Sequence, residues 1–316
     1  MIKNALRRVF YYDFTFLLME RHMKRLLIIL FWVIVITLLF AITFLAGGHS
    51  ESEESISHSD LSEQNEQPVE QPINNGEAEN SPQQQEMVMN EDGFQMDDFK
   101  TQSGKSVKFY AIKHGSLRIA YNDIEIEVDP VTDLDGNKTD YHKLPKADYI
   151  LITHEHYDHY DKTAIEALEK DGTMIITNEN VAKMLGKGEI MKNGDEKSLR
   201  EDMIIHAVPA YNTTPDHQKF HPKGRDNGFV LTLDGFRVYI GADTEDIPEM
   251  ADIKDIDVAF LPCNQPYTMT PEQLLKAAGM FQPKVLFPYH YSQTDMRKVT
   301  SLFKDSKIDV RIRNYQ

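Results

Sequence analysis

The chain has 316 residues, with 34 Lys and Arg against 50 Asp and Glu, a formal net charge of −16 and a single cysteine. One cysteine excludes a disulfide framework and a cysteine-based zinc ribbon. The acidic surplus excludes a protein that grips a nucleic-acid backbone, which needs excess cations to displace counterions.

That charge is unevenly spread: residues 1–48 carry +4, 49–102 carry −13 and 103–316 carry −7, which sum to −16. Residues 26–46 read LLIILFWVIVITLLFAITFLA, 21 residues with no charge. At 1.5 Å per residue this spans roughly 30 Å, the thickness of a hydrocarbon core. Arg21, Lys24 and Arg25 precede the run and Glu-rich sequence follows it. Positive charge stays inside, so residues 1–25 are expected to be a cytoplasmic basic segment, with the rest of the chain outside the membrane. The stretch from Met23, MKRLL, followed by small residues at Ala46-Gly47-Gly48, also reads as a signal sequence, with Met23 as an alternative start. The apolar run exceeds the roughly 7–15 residues of a signal core, which favours an uncleaved anchor over secretion after loss of residues 1–48. Residues 47–103 are rich in Glu, Gln, Asn and Ser. Such a composition buries too little apolar surface to offset chain entropy, and it is expected to form a disordered acidic linker.

From residue 104 the pattern changes. VKFYAIKH, SLRIAYN and IEIEVDP are β-rich runs separated by short polar breaks, as in a meander. ADYILITH is a further apolar strand that ends abruptly in polar residues. Residues 161–170 have helical spacing, with Ala164, Ile165 and Leu168 on one side. TMIITN and MIIHAVPA are strands, and ENVAKML is a short helix. GFVLTL and FRVYIGAD flank Asp234-Gly235, a hairpin turn. VAFLPCN, KVLFPYH and DVRIRN are the remaining strands, and Thr270-Pro271-Glu272-Gln273 opens a helix with a capping box. Meander strands first and strand–helix alternation later predict an α+β domain over 104–316, its sheets covered by outer helices.

The stretch Thr153-His154-Glu155-His156-Tyr157-Asp158-His159 begins where the strand YILIT ends. In an extended start His154 and His156 point the same way, because strand side chains alternate. Asp158 and His159 follow the turn and can face a second ion. Imidazole and carboxylate are suitable zinc ligands. Ile240-Gly241-Ala242-Asp243-Thr244 places an Asp at a second strand end, and Pro288-Tyr289-His290-Tyr291 places a His at a third. Three strand ends that deliver His and Asp fit one metal-binding rim.

His154-x-His156-x-Asp158-His159, with Asp243 and His290 downstream and Asp129 in Glu127-Val128-Asp129-Pro130, resembles the metallo-β-lactamase superfamily over residues 105–316. Val208-Pro209-Ala210-Tyr211-Asn212 and Phe220-His221-Pro222-Lys223-Gly224 further resemble its branch of ascorbate-6-phosphate lactonase-like hydrolases. The resemblance implies a four-layer αββα sandwich with two Zn2+ ions at one edge of the paired sheets. It implies that His154 and His156 hold the first ion, Asp158, His159 and His290 the second, and that Asp243 bridges them. The superfamily's third His to the first ion falls at Tyr211-Asn212 here, so His221, nine residues on, is taken as its replacement. His206 is the alternative, read as a strand residue facing a helix, and His217 is read as solvent exposed. Asn212 is expected to contact metal, water or substrate.

The implied activity is a zinc-dependent hydrolase, using a metal-held hydroxide against an ester, lactone or phosphoester of a small molecule. Asp158 is expected to orient the hydroxide or take its proton. Lys223, with Arg225 in the same loop, is placed to receive a phosphate or carboxylate, against the alternative of ordinary solvated charges. Cys263 reads as a small buried thiol, His114 as a structural strand-end residue, and His142 has no assigned role. Two other readings stand beside this one: a di-iron redox enzyme, disfavoured because such relatives commonly have Glu where His156 stands, and a non-catalytic membrane-tethered binding protein.

Overall fold

The structure is a computed structural model that describes residues 88–315. The segments 1–25 and 26–46 and most of the acidic stretch lie outside these residues. Among the described residues no helix is long and apolar enough to cross a membrane.

The first half of the described chain runs β1 (Val88–Met89), β2 (Gln95–Lys100), β3 (Ser106–Lys113), β4 (Ser116–Tyr121) and β5 (Ile124–Val128). A small hairpin follows, β6 (Asp133–Leu134) and β7 (Asn137–Lys138), then β8 (Tyr149–Ile152), α1 (Lys162–Leu168), β9 (Met174–Thr177), α2 (Glu179–Leu185) and β10 (Glu189–Ile190). Apart from the hairpin, these strands form one sheet in the order β1-β2-β3-β4-β5-β8-β9-β10. It is antiparallel as far as β5 and parallel from β5 to β10.

The second half repeats this plan. It runs β11 (Glu196–Arg200), β12 (Met203–Ala210), β13 (Asp226–Leu233), β14 (Phe236–Ile240), β15 (Val258–Pro262), α3 (Pro271–Phe281), β16 (Val285–Tyr289), α4 (Met296–Leu302) and β17 (Asp309–Val310). Strands β11 to β17 lie in chain order in one sheet, antiparallel up to β14 and parallel beyond it.

Side-chain alternation explains how the sheets are covered. In β8, Tyr149 and Leu151 join the large core shared by both sheets, while Ile150 and Ile152 join a second core. Ile176 and Ile175 of β9 divide in the same way. The shared core is aromatic at its centre: Phe109 of β3 meets Phe260 of β15 with ring centroids 5.3 Å apart, and Phe260 stacks on Phe287 at 5.1 Å. The second core is closed by Ala164, Ile165 and Leu168 of α1 and Val181 and Leu185 of α2. On the other sheet α3 buries Leu274, Ala277, Ala278 and Phe281, an i, i+3, i+4, i+7 stripe, and Phe281 meets Tyr239 edge-on at 5.4 Å. The layers are therefore helix, sheet, sheet, helix. The expected capping box forms at α3: Thr270 Oγ1 accepts from the Gln273 amide at 3.1 Å, and Gln273 Oε1 accepts from the Thr270 amide at 2.9 Å.

One boundary needs correction. The disordered linker was expected to reach residue 103, yet residues 88–89 and 95–100 are strands of the first sheet. Phe99 packs on Phe109 and Phe236, with centroids 5.6 and 5.8 Å away. Asp97 is gripped by Arg311 at 2.9 Å and by Arg313 at 2.6 and 2.7 Å. Its charge is thus satisfied by the far end of the chain rather than by solvent.

Candidate metal centre

In each sheet the parallel strands end at the same edge, the usual place for ligand-binding groups in such topologies. Four of the residues that end or begin strands there have left-handed backbone: His114 (φ 46°), Asp129 (φ 45°), Ala242 (φ 56°) and His290 (φ 47°). For non-glycine residues this costs on the order of 1–3 kcal/mol each, and such strain gathers at functional sites. Here it turns the chain sharply at strand ends, so that the next side chains face across the edge.

His154, two residues past β8, and His156 face the same point, with His154 Nε2 3.0 Å from His156 Nδ1. The turn then closes through the His159 and Tyr160 amides, which both donate to the His156 carbonyl. This returns Asp158 and His159 to the edge before Asp161 caps α1. Asp243, from the other sheet, is the common neighbour. Its carboxylate lies 3.3 Å from His221 Nε2, 3.3 Å from His290 Nε2, 3.4 Å from His159 Nε2 and 4.0 Å from His154 Nε2. Asp158 lies 3.4 Å from His290 Nε2 and 3.8 Å from His159 Nε2.

Residues outside the cluster fix the ring nitrogens. Asp129 accepts from the Thr153 amide at 2.8 Å, from its hydroxyl at 2.6 Å, and from His159 Nδ1 at 2.8 Å. With its proton given to Asp129, the Thr153 hydroxyl accepts from His154 Nδ1 at 2.9 Å. Asp226 at the start of β13 accepts from His221 Nδ1 at 3.0 Å. In all three histidines Nδ1 is thereby the donor, and Nε2 is the nitrogen that faces the centre. Gly115 leaves room for one of these rings: a Cβ there would stand 2.6 Å from His159 Cε1.

The electrostatics follow from crowding in a buried place. Burial, with the charge on His159, pushes His154 well below the usual imidazole range, and burial with His221 lowers His156. For His159 burial opposes protonation, but Asp243 and Asp158 outweigh it and hold the ring well above its ordinary value. His290 is raised to about 9 in the same way. Against the cost of burial, neighbouring imidazoles hold Asp158 and Asp243 well below the carboxylate range.

Several buried atoms still lack hydrogen-bond partners among the described residues: His159 Nε2, His290 Nε2 and Asp243 Oδ1. Orphaned donors and acceptors in a dry site are costly unless something unseen satisfies them. Three groups of side chains could each hold an ion: His154, His156 and His221; His154, His159 and Asp243; and His114, Asp158, His159 and His290. Imidazole and carboxylate donors of this kind suit a divalent transition metal, so the residues fit such an ion.

Several other expectations need revision. Lys223 does not reach the cleft: its Nζ donates to Glu249 at 2.6 Å and to the Tyr211 hydroxyl at 3.2 Å. Asn212 is buried and its Nδ2 donates to the carbonyls of Tyr267 and His217, so it braces the loop that carries His221 instead of facing substrate. His217 is not simply solvated but sits 3.1 Å from the buried Glu245. His206 pairs with Glu196 on the neighbouring strand, far from the ligand groups in sheet position. Cys263, by contrast, is the buried thiol its sequence context implied, and burial pushes it up to about 12. His142 stands in a short 3-10 turn outside the cleft.

His114 is more than a structural strand-end residue. It lines the cleft, its Nε2 lies 3.2 Å from Asp158 Oδ2, and its ring centroid is 3.7 Å from that of His290. A strand-end His followed by Gly was the available signal. Asp226 was missed too, and the loop that precedes β13 offered none.

The family described as the beta-lactamase superfamily domain matches residues 108–290. A UPF0173 metal-dependent hydrolase of Nanoarchaeum equitans is 30% identical over 156 residues, covering 47% of this chain and 72% of the relative. Its counterpart in Ligilactobacillus salivarius is 30% identical over 186 residues, covering 57% and 82%. A metal-dependent hydrolase from Parabacteroides distasonis of known structure shares 59% of its sequence, covers 71% of this chain and 100% of its own, and superposes with a TM-score of 0.68. With the histidine and aspartate cluster at the edge of the paired sheets, these likenesses establish that the chain is a metal-dependent hydrolase of the metallo-β-lactamase superfamily and belongs to its UPF0173 family.

Proposed function

We propose that the protein is a zinc-dependent hydrolase that cleaves an ester, lactone or phosphoester of a small molecule, with its C-terminal domain held outside the cytoplasmic membrane by residues 26–46. The observation that carries the catalytic part is Asp243, whose single carboxylate lies within 4.0 Å of four imidazole nitrogens drawn from both sheets. His154, His156 and His221 would hold one Zn2+, Asp158, His159 and His290 a second, with Asp243 shared. An imidazole-rich set favours zinc over the harder cations. Two bound zinc ions would supply a water of near-neutral pKa and a Lewis acid for a carbonyl or phosphoryl oxygen.

The protein's own groups do the positioning. Asp158 lines the cleft and is held ionised, so it accepts a hydrogen bond from the attacking water and orients it. His114 steadies that carboxylate at 3.2 Å. Arg225 is neutralised by Asp226 and places Nη2 3.5 Å from His156 Nε2, which limits the tilt of that ring. The likeness of VPAYN and FHPKG to lactonase-like hydrolases supports the ester and lactone end of the range. The apolar run at 26–46 and the basic residues before it support the membrane anchor, with secretion after cleavage of residues 1–48 as the other outcome.

Elemental analysis of the purified full chain should give close to two zinc ions per chain. Asp243→Ala and His156→Ala should abolish hydrolysis while circular dichroism shows an intact fold. Protein without metal but with all ligands in place would sink the reading. Iron with a visible absorption band would replace it by a redox centre.

A further inference from the structure

The cleft that leads to the ligand cluster has a volume of about 610 Å³ and two unlike parts. Its buried part is formed by His221, Asp243 and His290. Its outer part is aromatic. Phe220 and Tyr267 meet edge-on with centroids 5.0 Å apart, and Tyr157 stands beside the ligands on the motif turn. Tyr157 is 74% exposed and Tyr267 44%, in a domain whose described residues expose few large apolar side chains. Exposed rings at a cleft mouth are surface that a ligand covers.

The same outer part is poor in positive charge. Among the described residues that line the cleft, Lys113 is the single Lys or Arg. Its ammonium is buried beneath the β6–β7 hairpin and donates to the carbonyls of Thr132 and Asn137 at 3.1 and 2.6 Å. Lys223 turns away to Glu249, and Arg225 is bound by Asp226 and lies near Glu155. Lys219 lies 5.0 Å over the Phe220 ring but does not line the cleft. The hairpin instead contributes an exposed carboxylate, Asp135, to the wall.

We propose that the substrate is an uncharged ester or lactone whose non-reacting end is an aromatic or similarly flat apolar group, packed on Phe220 and Tyr267, and that Asp135 disfavours an anionic group at that end. This rests on the hydrolase reading above and specifies its substrate class. The step is a hydrolysis: the acyl carbon–oxygen bond breaks and the oxygen of water bonds the acyl carbon. The departing alcohol takes one hydrogen of that water, and the other leaves as the proton of the acid.

The test uses the zinc-loaded full chain with benzyl acetate, 4-carboxybenzyl acetate and ethyl acetate. The value of kcat/KM for benzyl acetate should exceed both others by about tenfold. In Phe220→Ala/Tyr267→Ala the benzyl-to-ethyl ratio should fall to about one. Asp135→Lys should move the ratio towards the carboxylated ester by about tenfold. Equal or better use of 4-carboxybenzyl acetate, or a benzyl preference that survives the double substitution, overturns the assignment. Calorimetric binding of N-benzylacetamide, which has no ester to cleave, separates the two readings. If no ester is hydrolysed but this amide binds, and binding weakens about tenfold in the double variant, the aromatic subsite stands and the ester chemistry falls. If the amide does not bind, the subsite falls.

Discussion

Asp129, which is wholly buried, accepts from His159 Nδ1 at 2.8 Å and so determines which nitrogen of that ring faces the reactive centre. The left-handed backbone at Asp129 tolerates Asn, whose amide is a poorer acceptor and presents a donor on one side. Asp129→Asn should therefore fold normally and lose about 10–100-fold in metal affinity. Competition with a chromophoric chelator measures this, and unchanged affinity would show that the ring is oriented by other contacts.

Gly115 is needed for space rather than for an unusual backbone angle. An added Cβ would lie 2.6 Å from His159 Cε1, closer than side chains approach. Gly115→Ala should push the ring off its position and lower the metal content from the proposed two ions towards one. Elemental analysis gives the stoichiometry, and full occupancy in the variant would show that the ring can yield.

Glu127 in β5 is nearly inaccessible, with Oε1 unbonded and Arg118 Nε 3.5 Å away. Burial pushes its carboxyl from 4.5 up to about 8, against the pull of Arg118. Between these values the folded chain keeps a proton that the unfolded chain has released, so stability falls as pH rises from 4.5 to 8. Glu127→Gln should remove that slope, adding on the order of 4 kcal/mol at pH 7.5 and almost nothing at pH 4. Urea unfolding at the two pH values checks it, and a variant less stable at pH 7.5 contradicts it.

Lys223 is mostly exposed and engaged with Glu249. Lys223→Ala should leave kcat/KM within about twofold and change stability little, as expected for a solvent-screened surface pair. A tenfold loss on an anionic ester alone would return the residue to substrate binding.

Strand alternation made most of the two sheets legible, because Tyr149, Ile150, Leu151 and Ile152 divide between two cores in strict turn. The motif from His154 to His159 was legible because it follows an apolar strand and packs several donors into one turn. The first sheet's edge was not. Asp97 is satisfied by Arg311 and Arg313, 214 and 216 positions away, and a local reading sees only another acid in an acidic stretch. The supporting partners of the ligands were hidden for the same reason: Asp226 and His221 are close in sequence, but their bond depends on the loop between them folding back. Lys223 was misplaced because sequence gives neighbours in the chain, whereas its partner Glu249 arrives from beyond β14.

The ligand set is divided between the two sheets. His154, His156, Asp158 and His159 follow β8, whereas His221, Asp243 and His290 come from the chain after residue 195. Any cation held by both groups would rivet one end of the sandwich across its seam. Stripping the ions should therefore loosen both halves together, and amide hydrogen exchange would quicken on either side of the join rather than in a single loop.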